Sequence, residues 1–125
     1  MKYIIQWVNG NPHIEFFGDI SWEEINQASN ILLGDVRFDS MDYVILNFLN
    51  VNKLTLSKND IKLLSVLDRS ASRWNQNLNI ALLTKDEVAM QRALEYIGFL
   101  QCINWEIKIF DSIDRAIIWC LAKVN

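Results

Sequence analysis

The chain has 125 residues, of which 51% are hydrophobic and 22% are charged. This length and composition predict one compact domain over residues 1–125, with a real hydrophobic core and no room for a second domain. The formal charge of −3 disfavours general binding to DNA or RNA, which depends on an excess of Lys and Arg facing the phosphates.

The cysteines and the N-terminal segment bear on the cellular compartment. Cys102 and Cys120 are far apart and both lie in apolar stretches, which predicts buried, reduced thiols rather than a disulfide framework. The apolar run that opens the chain is stopped by Asn9, Gly10 and Pro12, so it is too short for a signal peptide or a membrane span. We therefore expect a cytoplasmic protein with no integral membrane segment.

The first third of the chain predicts a hairpin followed by a helix. Apolar runs over residues 3–8 and 13–17 flank the turn-forming sequence NGNP, which is typical of an antiparallel hairpin. The Gly-Asp pair that begins at Gly18 is expected to end the second strand. Ser21 and Glu24 form a capping box, which predicts the start of a helix that Gly34 closes.

The rest of the chain predicts three strand–helix units. Ser57 with Asp60, and Thr84 with Glu87, stand in capping-box register before two helices, and Ser112 is expected to cap the last helix. The apolar strands before these helices occupy residues 43–49, 80–83 and 106–110. The alternation predicts parallel pairing, and so an α/β domain in the order ββαβαβαβα, with a mixed, mostly parallel five-stranded sheet and four helices.

The segment between the third strand and its helix is where function is sought first. Ligands of α/β folds bind just beyond the carboxyl ends of the strands, so we expect a loop over residues 50–57 to hold candidate site residues. The polar candidates in this loop are Asn50, Asn52, Lys53, Thr55 and Ser57. They form no catalytic motif, and an interaction surface is the expectation for them.

The helix after Ser57 has a predicted basic side. Its apolar positions are expected to face the sheet, and they are Ile61, Leu63, Leu64, Leu67, Ala71 and Trp74. The far side carries Lys58, Lys62, Arg69 and Arg73, which we call the basic stripe. One interpretation is a surface for an anionic partner, such as a phosphorylated ligand, a lipid headgroup or an acidic protein. The other is an ordinary solvated helix face, which is the default for outer charge.

Signatures of catalysis and of cofactor binding are missing from the sequence. The one histidine, His13, lies in a predicted strand with no second His or Cys at metal-ligand spacing. None of the four glycines belongs to a phosphate-binding loop or a G-x-S-x-G elbow. Glu23 and Glu24 fall in a first helical turn, where capping accounts for them. We therefore predict no catalytic residue, no cofactor and no metal site.

The tryptophan content leaves two interpretations open. The five residues are Trp7, Trp22, Trp74, Trp105 and Trp119. They add much apolar area, and each carries an N–H group that prefers a partner. They are expected either to fill the core and interfaces, or to line a pocket for an apolar ligand.

The C-terminal segment carries a resemblance to a known family. It has the pattern W-x-I-x-x-F-x-S-x-x-x-A-x-x-W between Trp105 and Trp119. This pattern, the element order and the strand-to-helix step over residues 46–60 resemble the bacterial SpoIIAA-like proteins. The stretch LDRSASRWNQNLNIALLTKD is similar to a helix and strand of the same family. The resemblance implies the fold of STAS domains, the anti-sigma-factor antagonist fold, which is related to the lipid-binding SEC14 fold.

The resemblance also bears on regulation. STAS proteins carry a phosphorylatable serine in a D-S-S-G-type turn after the third strand. The corresponding segment here is TLSK, with Leu56 at the first serine and Lys58 at the glycine, and the acidic strand-end residue is replaced by Asn47 or Asn50. We therefore expect Ser57 to act as a helix N-cap and not as a switch.

Two functions from different classes follow from these expectations. The first is a non-catalytic interaction or regulatory module that binds another protein or itself. The second is a carrier or sensor of a small apolar or amphipathic ligand, which the tryptophans, the basic stripe and the SEC14 likeness favour. The strands are apolar on both faces, and most helices are expected on one side, so a second copy in a twofold dimer could cover the rest.

Overall fold

The structure, a computed structural model, describes residues 2–124. A short 3-10 helix, Phe38–Ser40, precedes the third strand. The main elements are β1 (Tyr3–Val8), β2 (Asn11–Ser21), α1 (Trp22–Leu33), β3 (Tyr43–Thr55), α2 (Lys58–Ala71), β4 (Asn79–Leu83), α3 (Glu87–Phe99), β5 (Glu106–Phe110) and α4 (Ile113–Ala122). This order confirms the predicted α/β succession ββαβαβαβα.

The five strands form one sheet in the order β1-β2-β3-β4-β5. β1 pairs antiparallel with β2, and every other neighbouring pair is parallel, as predicted. α1, α2 and α3 cover one face of the sheet and enclose the main core, whereas α4 packs on the opposite face against β3, β4 and β5. None of the described helices is long and apolar enough to cross a membrane.

β2 and β3 are longer than the sequence pattern suggested. β2 continues through Gly18, which has a φ of 78° beside an irregularity in the pairing, and ends only at Ser21. β3 runs in parallel with it to Thr55, and Ile20 and Leu54 of the two extensions pack into the core. The predicted strand end at Gly18 is therefore wrong, and the predicted loop over residues 50–57 is wrong as far as Thr55, because the backbones of these polar segments pair with each other. Residues 56–57 alone form the connection to α2.

The predicted helix starts are confirmed at two of the capping boxes. The Glu24 carboxylate accepts a hydrogen bond from the Ser21 N–H over 2.7 Å, and Gly34 follows the end of α1. Ser57 Oγ accepts from the Asp60 N–H over 3.1 Å. Thr84 is not the cap of α3.

The N-cap of α3 is Asp86 instead. Its carboxylate accepts a hydrogen bond from the Ala89 N–H over 2.9 Å. Thr84 directly follows β4 and is held beside β5, because its N–H donates to the Phe110 carbonyl over 3.0 Å. The helix therefore starts at Glu87, two residues later than a Thr84 cap would require.

Three side chains predicted to be buried are exposed. Leu63 is 50% exposed. It follows the inward-facing Ile61 by two residues, which is a helical rotation of about 200°, so the two side chains point in nearly opposite directions. Trp74 is 71% exposed, since α2 ends at Ala71 and the helical periodicity does not extend to it. Cys102 lies exposed in the turn after α3, whereas Cys120 is buried as predicted and burial raises the pKa of its thiol to about 12.

Candidate functional site

The residues predicted for a loop lie on the extended part of β3. Asn50, Asn52, Lys53 and Thr55 are all exposed. Asn50 Nδ2 donates to the Glu15 carboxylate of β2 over 2.6 Å, so this side chain links β3 to β2. Residues 50–55 thus belong to the sheet, where they pair with β2, and they do not form a free loop. Ser57, the fifth candidate, is exposed and bonded as the N-cap of α2.

The basic stripe lies on the solvent side of α2. Lys58, Lys62 and Arg69 are exposed on the helix, and Arg73 is exposed just after it. No ion pair joins these four side chains to an acidic residue within residues 2–124. The structure therefore leaves three of the predicted cations exposed on α2 and the fourth, Arg73, exposed in the turn that follows it.

A cavity of about 110 Å³ lies between the sheet and the three helices of the main core. Its walls are almost entirely apolar. They include Ile14, Phe16, Val44, Leu46, Ile80 and Leu82 of the sheet, Ile25, Ala28, Ile61, Leu64, Ala89 and Ala93 of the helices, and Trp105. Concave apolar space with a few polar groups is the usual form of a small-molecule site.

Three polar side chains of α2 and α3 line this cavity. The Tyr96 hydroxyl donates a hydrogen bond to Oδ2 of Asp68 over 2.5 Å, and both residues are buried. Arg92 forms an ion pair with Glu95 through Nη1. Arg92 Nε is buried and has no hydrogen-bond partner among the residues that the structure describes. The cluster therefore offers one free donor in an apolar environment.

The same environment shifts the proton affinity of the cluster. Burial raises the pKa of Asp68 to about 6, and the hydrogen bond from Tyr96 acts in the opposite direction. The pKa of Tyr96 lies well above its ordinary value because of burial and then the adjacent Asp68 charge. Asp68 is thus ionised for the most part above pH 7, and its carboxylate then accepts a hydrogen bond from the neutral Tyr96 hydroxyl. Within residues 2–124, no group of three or more His, Cys, Asp or Glu side chains could hold a metal ion.

Sequence reasoning missed this cluster, although a signal for it exists. Asp68 follows Ile61 by seven residues and Leu64 by four, so it falls on the apolar side of an amphipathic helix. On α3, Arg92 and Tyr96 follow the buried Ala89 and Ala93 by three residues each, so they also fall on the apolar side of their helix. A polar residue in an apolar stripe needs a buried partner, and Tyr96 of α3 supplies one to Asp68 of α2.

The tryptophans divide between the two interpretations left open. Trp105 lines the cavity, and its indole N–H donates to the Asn75 carbonyl over 2.7 Å. Trp7 and Trp22 pack against the main core, and Trp119 packs against the apolar cluster beneath α4. Most of the tryptophans thus serve packing.

The fold of this chain agrees with that of a solved protein structure. No protein-family model and no curated protein matches the sequence. Among solved structures, the chain is similar to an uncharacterized protein from the DUF3478 family with a SpoIIAA-like fold, from Shewanella loihica PV-4. The match covers 94% of this chain and 91% of that chain, with a TM-score of 0.58 and 14% sequence identity. The chain has a SpoIIAA-like fold.

The likeness confirms the fold that the sequence resemblance implied. At 14% identity it concerns the course of the backbone and not the residues of a site. In this SpoIIAA-like domain the cavity lies on the three-helix side of the sheet, while the basic stripe lies on the outer side of α2. Any role of either feature therefore depends on side chains that belong to this chain.

Proposed function

We propose that this SpoIIAA-like domain is a non-catalytic binding module that takes up a small, predominantly apolar molecule in its internal cavity. It would act as a carrier or sensor of that molecule. The observation that carries the proposal is the cavity of about 110 Å³, with apolar walls and the cluster of Asp68, Arg92 and Tyr96. For comparison, an engineered apolar cavity of about 150 Å³ in another protein binds benzene.

The energetics of packing support an occupant. Protein interiors are close-packed, and an unfilled cavity costs roughly 24 cal/mol per Å³. A cavity of this volume therefore costs on the order of 2–3 kcal/mol, which larger side chains at Ala28, Ala89 or Ala93 would recover. The three alanines that line it keep the space open. A bound apolar molecule would restore the missing contacts.

The proposal can be tested with toluene as an apolar probe. We expect saturable chemical-shift changes in the methyl NMR signals of Ile80, Leu82 and Ala93, which line the cavity. Ala93→Leu should abolish the changes by filling the space. Ala122→Leu introduces the same group at an exposed helix end and should leave them unchanged. Shifts that are absent, or that persist in Ala93→Leu, would refute binding in the cavity.

A second candidate function is self-association, the interaction role expected from the sequence. α4 covers only β3, β4 and β5, and β1 extends the sheet in its plane, so the outer part of this face is uncovered. Ile4 on β1 is 55% exposed there, and Ile118 and Leu121 of α4 are 69% and 53% exposed. A second copy of the chain on a twofold axis would bury these side chains.

Sedimentation velocity at high micromolar concentration tests this candidate. We expect a dimer for the parent and a monomer for Ile118→Lys. Leu94→Lys is the matched control, because Leu94 is 58% exposed on α3, over the opposite face of the sheet. A parent that stays monomeric, or equal effects of the two variants, would exclude this interface.

The proposed compartment is the cytoplasm. Cys102 and Cys120 are both unpaired, and Cys102 is exposed. An exposed free thiol is typical of a reducing environment. Labelling of Cys102 by a thiol reagent in intact cells under non-permeating conditions would contradict this location.

A further inference from the structure

We propose that the molecule bound in the cavity is electrically neutral and carries a hydrogen-bond acceptor that meets the Nε–H group of Arg92. This inference rests on the proposed function and adds the chemical class of the ligand. It excludes both pure hydrocarbons and anions as the preferred occupant. Ketones, esters, ethers and alcohols of small size belong to the class.

The hydrogen-bond inventory of the cluster indicates an acceptor. Arg92 and Tyr96 are four residues apart on α3, so their side chains lie on the same side of the helix. The Tyr96 hydroxyl already donates to Asp68, and Arg92 Nη1 already meets Glu95. Arg92 Nε remains buried without a partner among the described residues. A guanidinium N–H can only donate, so its complement is an acceptor.

The charges around the cavity indicate a neutral molecule. The charge of Arg92 is balanced by Glu95, and the buried Asp68 carboxylate adds a negative charge whose hydrogen-bond donor, the Tyr96 hydroxyl, is neutral. An anionic ligand would lose its hydration and stand near that charge in an apolar site. A protonated amine would offer no acceptor to Arg92 Nε. A neutral carbonyl, ether or hydroxyl oxygen avoids both penalties.

Three probes with equal numbers of non-hydrogen atoms separate these alternatives. They are cyclohexanone, methylenecyclohexane and pentanoate, which carry a neutral acceptor, no acceptor and an anionic head. Dissociation constants are measured by methyl NMR titration at pH 7.5 in the parent and in Arg92→Met. In Arg92→Met we expect cyclohexanone to bind about 5- to 10-fold more weakly relative to methylenecyclohexane, because one hydrogen bond is lost. Pentanoate should show no saturable binding to the parent.

Two further variants keep the result interpretable. Glu95→Gln removes the ion-pair partner but leaves Arg92 Nε in place, so the preference for the ketone should persist. Should Arg92→Met fail to fold, Arg92→Leu also removes every hydrogen-bond donor of the side chain, and the same loss of preference is expected. Binding of methylenecyclohexane in each variant reports that the cavity is intact.

The outcomes distinguish this inference from the function on which it rests. If neither cyclohexanone nor methylenecyclohexane binds the parent, the proposed function fails and the inference fails with it. If both bind and their ratio is unchanged in the Arg92 variants, the cavity is a binding site but the acceptor assignment is overturned. If pentanoate binds as tightly as cyclohexanone, the assignment of a neutral ligand is overturned.

Discussion

The Tyr96 hydroxyl on α3 donates a hydrogen bond to Oδ2 of Asp68 on α2 over 2.5 Å, inside the main core. This bond joins two helices at the edge of a predominantly apolar cavity. It gives the negative charge of Asp68 a donor, but it does not compensate fully for the loss of hydration, because the pKa of Asp68 is still raised. The stability of the fold should therefore depend on the protonation of this carboxyl.

Asp68→Asn should change how stability varies with pH. The pKa of Asp68 rises from 3.8 to about 6 on folding, so the folded state binds the proton more tightly. Its stabilising contribution is fully present below about pH 4 and is lost as the pH rises through about 6. The loss amounts to about 3 kcal/mol for a shift of about two units. Because Asn cannot ionise, the variant should gain stability relative to the parent by up to this amount.

Urea unfolding of parent and variant between pH 4 and pH 8 measures this difference. Subtracting the two curves removes the other carboxylates, including Asp35, whose pKa is lowered to about 2 mainly by a hydrogen bond from Arg37. A difference that is constant with pH would show that Asp68 does not titrate in this range.

Tyr96→Phe should have the opposite dependence. The variant keeps the ring but removes the hydrogen bond that favours the ionised form of Asp68. We expect a loss of about 1–3 kcal/mol in the free energy of unfolding at pH 8, where Asp68 is charged. The loss should be smaller at pH 5, where the carboxyl is largely protonated. Equal losses at pH 5 and pH 8 would indicate a packing effect of the hydroxyl alone.

Ser57→Ala should destabilise the protein by about 1 kcal/mol, because the Asp60 N–H at the start of α2 loses its acceptor. Ser57→Asp should be tolerated, since a carboxylate also caps a helix and suits its positive end. Ser112→Ala is a matched control at the N-cap of α4, where the serine side chain makes no capping hydrogen bond. Thermal unfolding should show a loss for the first variant only.

Two results would contradict the capping role of Ser57. Equal losses in Ser57→Ala and Ser112→Ala would show that the capping bond contributes nothing. If Ser57→Asp abolished the binding of a partner while leaving Tm unchanged, a phosphorylation switch at this serine would be the better explanation.

Local signals accounted for most of the fold. The capping boxes at Ser21 and Ser57 act within three residues, and the apolar runs of β4 and β5 are self-contained, so the sequence pattern placed them correctly. The extension of β3 escaped prediction because residues such as Asn52 and Lys53 have low strand propensity. Their backbone pairs with β2, more than thirty residues earlier, and that pairing does not depend on side-chain character.

The cavity escaped prediction for a different reason. Asp68 and Tyr96 are 28 residues apart, on helices that meet only in the folded domain. Each residue alone is an isolated polar group in an apolar stripe. The empty space beside them depends on the sizes of side chains from three helices and the sheet, which no sequence period encodes.

The basic stripe remains a prediction from the sequence, and a paired substitution tests it. Lys62→Gln combined with Arg69→Gln removes two exposed cations of α2 and should change stability by less than about 0.5 kcal/mol. Lys85→Gln combined with Lys108→Gln removes the same charge from two exposed positions outside α2. If the stripe attracts an anionic partner, only the first pair should weaken binding to vesicles that contain phosphatidylserine.

Salt provides the second criterion for the stripe. Attraction between exposed charges is screened over about 10 Å at 0.1 M ionic strength, so binding should decline steeply as salt is added. Sedimentation of the vesicles at low and high salt measures both effects. Equal binding by the two double variants, or binding that is indifferent to salt, would leave Lys58, Lys62, Arg69 and Arg73 as an ordinary solvated face.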